Sequence, residues 1–316
     1  MRALHVPAPG QPPVLGELDI PQPGPGDVLV KVRAAGLNPV DNILAAGHMT
    51  QAVAHAYPLV LGRDVAGTVE AVGKDVTHVS PGDRVLGCLP LRPPVQAGTL
   101  ADYAVLPGDG VTPLPEGLDF VTAAALPLAA SAAFAAIESA SPQEGEVVLV
   151  NGATGGVGLF AVQLAAARGA VVVATGTPED EERLLKLGAA TVIDYTAGSV
   201  VGQVRAEHSD GVDVLINLVG QSPEQVPFAA LRVGGRVAST TFGVVTDEAL
   251  ATANATGEVV SANPVRETTA PLAALAAING LTVEVAEVLP LERAIEGLAT
   301  LAAGIARGKV VVAIDA

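Results

Sequence analysis

The chain has 316 residues with 33 acidic and 17 basic side chains, a formal net charge of −16 that argues against a nucleic-acid or anionic-membrane surface and requires any phosphate site to be locally electropositive. No apolar run reaches the ~18 residues of a membrane span, and the start MRALHVPAPG lacks the apolar core of a signal peptide. A single cysteine, Cys88, excludes an internal disulfide and a multi-cysteine zinc site, so the expectation is a cytoplasmic protein with no membrane or nucleic-acid partner.

The first 120 or so residues read as an all-β module. The run 28–32 alternates with Lys31 on the polar face, 65–72 does the same, and both predict antiparallel strands. Turns fall at Pro21-Gln22-Pro23-Gly24-Pro25-Gly26 and at Ser80-Pro81-Gly82-Asp83, with a loop tip at Arg92-Pro93-Pro94. Near Phe120 the texture changes to alanine-rich helix. Boundaries are expected at 122/123 and 263/264, with a central dinucleotide-binding domain at 123–263 and residues 264–316 returning to the first domain.

Residues 146–177 carry the strongest signal. The run 147–150 is continuously apolar, as a strand buried on both faces of a parallel sheet must be. A glycine-rich turn follows, and then Val157, Phe160, Ala161, Leu164 and Ala165 mark the apolar stripe of one helix. Gly169 stands where a left-handed cap is usual, and 170–174 predicts a second buried strand. This is the size of a dinucleotide-binding βαβ unit. In the turn Ala153-Thr154-Gly155-Gly156-Val157-Gly158, the glycines remove Cβ atoms where a pyrophosphate approaches a helix N-terminus. The alternative is a tight turn without a ligand. Further strands at 192–193, 212–216 and 236–239 alternate with helical stretches, which implies an α/β domain with a parallel sheet. A helix at 291–305 and a strand at 310–314 close the chain.

Seven segments, in this order, resemble the zinc-independent branch of the medium-chain dehydrogenase/reductase superfamily, its zeta-crystallin-like quinone oxidoreductases. They are Ala35-Gly36-Leu37-Asn38-Pro39-Val40-Asp41, Gly62-Arg63-Asp64-Val65-Ala66-Gly67, Pro81-Gly82-Asp83-Arg84-Val85, the AAALPL run at 123–128, the ATGGVG turn, Leu187-Gly188-Ala189, and Ala306-Arg307-Gly308-Lys309-Val310. The resemblance implies a GroES-like β-rich domain built from both chain ends, a Rossmann doubly wound parallel-sheet domain, and a cleft for cofactor and substrate. It implies a homodimer paired through the edge of the Rossmann sheet, with 237–242 near that edge. Zinc-using relatives carry a cysteine within the stretch matching Asn38-Pro39-Val40-Asp41 and Gly-His-Glu in place of Gly62-Arg63-Asp64, so no zinc is expected. His48 and His55 read as loop residues with poor metal spacing.

The acid that NAD sites place at the end of the second strand, about 20 residues past the glycines, is missing from Ala174-Thr175-Gly176-Thr177, which leans towards NADPH with NADH possible. Thr175, Thr177 and Arg183 are the candidates there, although Thr177-Pro178-Glu179-Asp180 also reads as a helix cap. By resemblance, Tyr195 contacts the adenosine phosphate, Val219, Gly220, Thr240 and Phe242 line the nicotinamide, and Lys309 lies near the cofactor. The alternatives are a packed strand-end tyrosine, strand-end capping threonines and a solvated lysine. Asn38, Asp41 and Tyr57 are the catalytic candidates, and Asp64 reads as core-supporting. The family's Leu-Thr-Ala-Tyr is replaced by Ser131-Ala132-Ala133-Phe134. The expected activity is hydride transfer from NADPH to a small-molecule quinone or α,β-unsaturated carbonyl. A tailoring reductase or dehydratase-like enzyme for one biosynthetic intermediate stays open, as does a cofactor-binding structural or trafficking protein.

Overall fold

A computed structural model describes residues 1–314, and among them the chain forms three sheets. It divides into two compact units, one of Met1–Leu128 with Pro264–Ala316 and one of Ala129–Asn263. The expected boundary at 122/123 falls instead inside a helix, at Leu128/Ala129.

The first unit opens with β1 (Arg2–Val6), β2 (Val14–Glu17) and β3 (Asp27–Gly36), followed by helix α1 (Pro39–Ala45). Then come β4 (Leu59–Val60), β5 (Asp64–Val72), β6 (Arg84–Cys88), β7 (Tyr103–Pro107), β8 (Val111–Pro113) and α2 (Phe120–Ala124). Helix α3 (Pro127–Ala140) leads into the second unit. That unit runs β9 (Val147–Asn151), α4 (Gly156–Ala167), β10 (Val171–Gly176), α5 (Glu181–Lys186), β11 (Thr191–Asp194), α6 (Val200–Glu207) and β12 (Val212–Asn217). It ends with β13 (Leu231–Ser239), α7 (Asp247–Ala253) and β14 (Thr256–Val259). The chain then returns to the first unit with α8 (Arg266–Ala277), β15 (Val285–Pro290), α9 (Ala294–Ala302) and β16 (Lys309–Ala313). The helix expected over 291–305 is thus shorter, with a 3₁₀ turn (Leu291–Arg293) before it.

In the first unit a seven-stranded sheet is ordered β15-β16-β3-β5-β6-β8, with β7 also on β3. The last strand β16 lies antiparallel beside β3, with Val311 opposite Gly36 and Ala313 opposite Ala34. Both chain ends therefore share one core, whose members include Val30, Val32, Leu106, Val310 and Val312. The alternation read at 28–32 is visible in β3, whose apolar side chains are buried while Lys31 is half-buried.

In the second unit the six-stranded sheet is ordered β11-β10-β9-β12-β13-β14 and every pairing is parallel. This is the doubly wound order, and the sequence of strands reverses beside β9, where ligands bind in such folds. The segment 237–242, expected near the sheet edge, begins in β13, one strand in from the edge strand β14, which pairs with Arg236–Ser239. β14 was missed because its residues Thr256, Gly257 and Glu258 are exposed and carry no apolar run. No helix among the described residues is long and apolar enough to cross a membrane.

Candidate active site

The predicted site residues fall into two groups, one in each unit. In the second unit, β9 ends in the glycine turn and α4 starts at Gly156, with Gly155 as N-cap in extended backbone (φ −77°, ψ 169°). The first N–H groups of a helix have no intrahelical acceptor, so such an end favours an anion. The glycines divide the labour. Gly152 holds φ +89°, which a side chain disfavours. A Cβ on Gly158 would lie 2.2 Å from the Gly152 carbonyl oxygen and 2.6 Å from the Ala153 backbone, so this glycine lets α4 pack onto the turn. Gly155 has ordinary space, its nearest neighbour the Gly152 oxygen at 3.6 Å from a built Cβ. Gly155, Gly156, Val157 and Thr154 are half-buried, whereas Ala153 is fully buried.

Thr175 plays a different part from the one expected. It is 3% exposed, and its Oγ1 accepts from Gly152 N at 2.9 Å, tying the glycine turn to β10. Beyond β10 the chain folds back on itself in a 3₁₀ turn, Pro178–Asp180. The buried Asp180 accepts from Thr177 N (3.1 Å) and Thr177 Oγ1 (2.9 Å), and Glu179 Oε2 lies 2.6 Å from the same hydroxyl. Arg183, read as the phosphate contact, donates to Asp180 Oδ1 at 2.9 Å. The strand end read as free of carboxylates therefore has one, delivered from three residues downstream. Tyr195 follows β11 and is 50% exposed, which removes the packed-tyrosine alternative; its N–H donates to the Gly176 carbonyl oxygen beside Thr177.

Sequence reasoning missed a polar ladder at the strand ends. β9, β12 and β13 terminate in Asn151, Asn217 and Ser239, all buried and in register. Asn151 Nδ2 donates to Asn217 Oδ1 (2.9 Å), while Asn217 Nδ2 donates to Ser239 Oγ (3.1 Å) and to the Val219 carbonyl oxygen (3.0 Å). The signal was present as a polar residue closing each apolar run. The ladder anchors the loops that carry the other predicted residues. Of these, Val219 and Phe242 are 46% and 75% exposed, Thr240 is half-buried, and Gly220 has φ +104°.

In the first unit Asn38, Asp64 and Lys309 form one buried network. Lys309 Nζ donates to Asn38 Oδ1 (2.6 Å), the Leu37 carbonyl oxygen (2.9 Å) and Asp64 Oδ2 (3.3 Å). Asn38 Nδ2 donates to Asp64 Oδ2 (2.9 Å) and the Gly36 carbonyl oxygen (3.3 Å), and Asp64 Oδ1 accepts from Leu128 N (2.9 Å). This removes the solvated-lysine alternative, because Lys309 is 4% exposed and its ammonium is bound three ways inside its own unit. Asn38 has both ends of its amide engaged. Asp64 supports the core, as expected.

Asp41 is fully buried, with Oδ2 accepting from Asn38 N at 2.8 Å at the start of α1 and Oδ1 without a hydrogen bond. Burial, opposed by the nearby Arg63, pushes its carboxyl up to about 6. Arg63 is 2% exposed and donates to the carbonyl oxygens of Ala97 (2.6 Å) and Val60 (3.4 Å), its pKa lowered by burial. Tyr57 is half-buried against the core of the unit. His55 has both ring nitrogens shielded and without hydrogen bonds.

Two family models match the chain, the alcohol dehydrogenase GroES-like domain over residues 24–116 and the zinc-binding dehydrogenase domain over 156–268. A pig quinone oxidoreductase is 37% identical over 243 residues, 75% of this chain and 72% of that protein. A mouse mitochondrial NAD(P)H oxidoreductase, RTN4IP1, is 37% identical over 63% of this chain, and the match spans 54% of its own length, about half. Among solved structures, the quinone oxidoreductase from Coxiella burnetii aligns with a TM-score of 0.88 at 27% identity, covering 99% of this chain and 98% of that one.

Proposed function

The chain belongs to the medium-chain dehydrogenase/reductase superfamily, and on that premise we propose that it is a zinc-independent reductase passing hydride from a nicotinamide dinucleotide to a quinone or an α,β-unsaturated carbonyl. When bound, the reduced nicotinamide supplies the hydride, and a proton from water completes the two-electron reduction. The chain's own part is to hold and orient. The N-terminus of α4 with Gly155 and Gly156 favours the pyrophosphate, and the ladder Asn151–Asn217–Ser239 fixes the loops bearing Val219 and Thr240.

The observation that carries zinc independence is the donor chemistry of the first unit. Where zinc-using relatives offer ligands, this chain has Asn38, its amide committed, and Arg63, a buried guanidinium, with the Lys309 ammonium 2.6 Å from Asn38 Oδ1. Two buried cations repel a third, and Asp64, which is bonded to both Asn38 and Lys309, already accepts from three donors. Without a Lewis acid an alcohol oxygen is not polarised, whereas an acceptor that is already electrophilic needs no metal. The NADPH expectation rested on a strand end without a carboxylate; Asp180 supplies one there, so the proposal is for NAD(P)H as a class. A homodimer paired through the edge of the parallel sheet is part of the same reading, and the exposed edge strand β14 supports it.

The test is NAD(P)H oxidation screened against quinones, enals, enones and, in the reverse direction, saturated alcohols, with elemental analysis of the same sample. Turnover with quinones or enones at less than ~0.1 zinc per chain is the expected result. Activity confined to alcohols and abolished by a chelator overturns the proposal. Light scattering showing a monomer at micromolar concentration removes the dimer.

A further inference from the structure

We infer that the first unit carries a binding site for a small organic carboxylate with an apolar body, at the end of β16 away from Lys309. The inference goes beyond the hydride-transfer reading and does not rest on it. A depression of about 600 Å³ lies there, within the size range of small-molecule sites. Arg33, Thr68, Arg84, Phe120 and Val121 are among its lining residues, and every lining residue belongs to the first unit. Lys309 starts β16 and Ala313, which also lines the depression, ends it. At ~3.3 Å of rise per residue, the strand sets the depression about 13 Å from the buried network around Lys309.

β3 carries one extra residue at Arg33. Val32 stands opposite Gly67 and Ala34 opposite Ala66, so Arg33 is a bulge with no counterpart on β5. A bulge of this kind re-aims a side chain. The Arg33 side chain is half-buried and makes no hydrogen bond or ion pair with a described residue. Other arginines of this acidic chain are taken up by carboxylates, as Arg232 is by Asp213 and Arg293 by Glu296. Arg84 is also held without an acid. Its Nη2 donates to the Leu118 carbonyl oxygen (2.8 Å), and its guanidinium lies over the Phe120 ring, 4.7 Å from the centroid. Both contacts hold the group in place, and its remaining nitrogens have no partner among the described residues.

Asp119, also in the lining, turns its carboxylate to Thr122, accepting from the N–H (2.8 Å) and Oγ1 (3.0 Å), and forms no ion pair with either arginine. Two guanidiniums against one carboxylate leave a single positive charge in excess, which a monocarboxylate neutralises. The guanidinium fork matches a carboxylate in bidentate form, and the half-buried Phe120 and Val121 present apolar surface to the body of the ligand.

The experiment is calorimetric titration of the full-length protein with benzoate, acetate and benzyl alcohol, which separate the carboxylate from the aromatic body, repeated on Arg33→Gln and Arg84→Gln. Benzoate is expected to bind one per chain, with acetate and benzyl alcohol weaker by about tenfold or more. Arg33→Gln is expected to weaken benzoate by about tenfold or more while its melting temperature and its affinity for NAD(P)H stay in place, because the side chain has no partner to lose. Arg84→Gln weakens benzoate in the same sense but also gives up the Leu118 contact, so the decision lies with Arg33. Benzoate affinity unchanged in Arg33→Gln puts the carboxylate elsewhere, the acceptor site of the proposed reaction included, and overturns the inference. Acetate or benzyl alcohol binding as tightly as benzoate also overturns it, as does the absence of saturable benzoate binding up to about 10 mM. None of these outcomes alters the nicotinamide reading, which NAD(P)H binding decides.

Discussion

Lys309→Met isolates the buried charge network of the first unit. Methionine keeps the length and apolar stem of the lysine, so little cavity is created, and what is lost is the ammonium. The side chains of Lys309 and Asp64 are 4% and 0% exposed, which excludes water as a ready replacement. Removing one partner of a buried ion pair costs ~3–5 kcal/mol because the other charge stays behind uncompensated. Asp64 keeps its donors Asn38 Nδ2 and Leu128 N, which places its share at the low end. The Leu37 carbonyl oxygen and Asn38 Oδ1 lose a charged donor each, and an unsatisfied buried acceptor adds ~1–3 kcal/mol. A total of ~4 kcal/mol, at ~2–4 °C per kcal/mol for a unit of this size, lowers the melting transition by about 8–16 °C. Scanning calorimetry reads this directly. Asp64→Asn combined with Lys309→Met should cost at least ~1 kcal/mol less than the sum of the single variants, since the two residues share one network. A shift below ~2 °C for Lys309→Met, or strict additivity, refutes the reasoning.

Gly158→Ala gains ~1 kcal/mol of helix propensity but drives a Cβ to 2.2 Å from the Gly152 oxygen, so a net loss of ~2 kcal/mol or more is expected in a thermal melt. Gly156→Val changes the first helical residue, which is not left-handed, so the melt should stay put while nicotinamide nucleotide affinity falls by ~3 kcal/mol; unchanged affinity in calorimetry would falsify the anion role of the turn. Asp41, raised by burial to about 6, binds its proton more tightly folded than unfolded, so its contribution to stability falls as pH rises through the window from its ordinary value to about 6. Asp41→Asn should therefore gain on the unaltered protein by up to ~3 kcal/mol between pH ~4 and ~7, and parallel stability–pH curves would exclude this. Asn217→Leu strands Asn151 Nδ2 and should cost ~2 kcal/mol by denaturant titration; a neutral result means the ladder is not a shared support.

What was legible in the sequence was what neighbours in the chain decide. The apolar run of β9, the turn and the first turns of α4 are a local pattern, and the Thr177-Pro178-Glu179-Asp180 cap was equally local. The pattern showed that the stretch would turn. It did not show that the turn would carry the Asp180 carboxylate back to the strand end, which is a matter of backbone path. β14 was invisible for the opposite reason, since an exposed edge strand of four residues buries too little to need an apolar run.

Lys309 and the strand-end ladder share a physical cause for being misread or missed. Lys309 meets its partners Asn38 and Asp64 across 271 and 245 residues, and Asn151 meets Asn217 across 66. Burial of a polar group costs several kcal/mol unless a partner is present, so each of these residues is tolerable only because the fold supplies one from elsewhere. A polar residue closing or opening an apolar strand is thus a signal that such a partner exists: Asn151, Asn217 and Ser239 close theirs, and Lys309 opens β16. The strand reveals the place of the contact, and the partner is set by which strand lies alongside. For Lys309 that neighbour is the end of β3 leading to Asn38. Its ammonium meets there the Leu37 carbonyl oxygen, Asn38 Oδ1 and Asp64 Oδ2, so one charged donor offsets the burial of three acceptors that the strand pairing brings together.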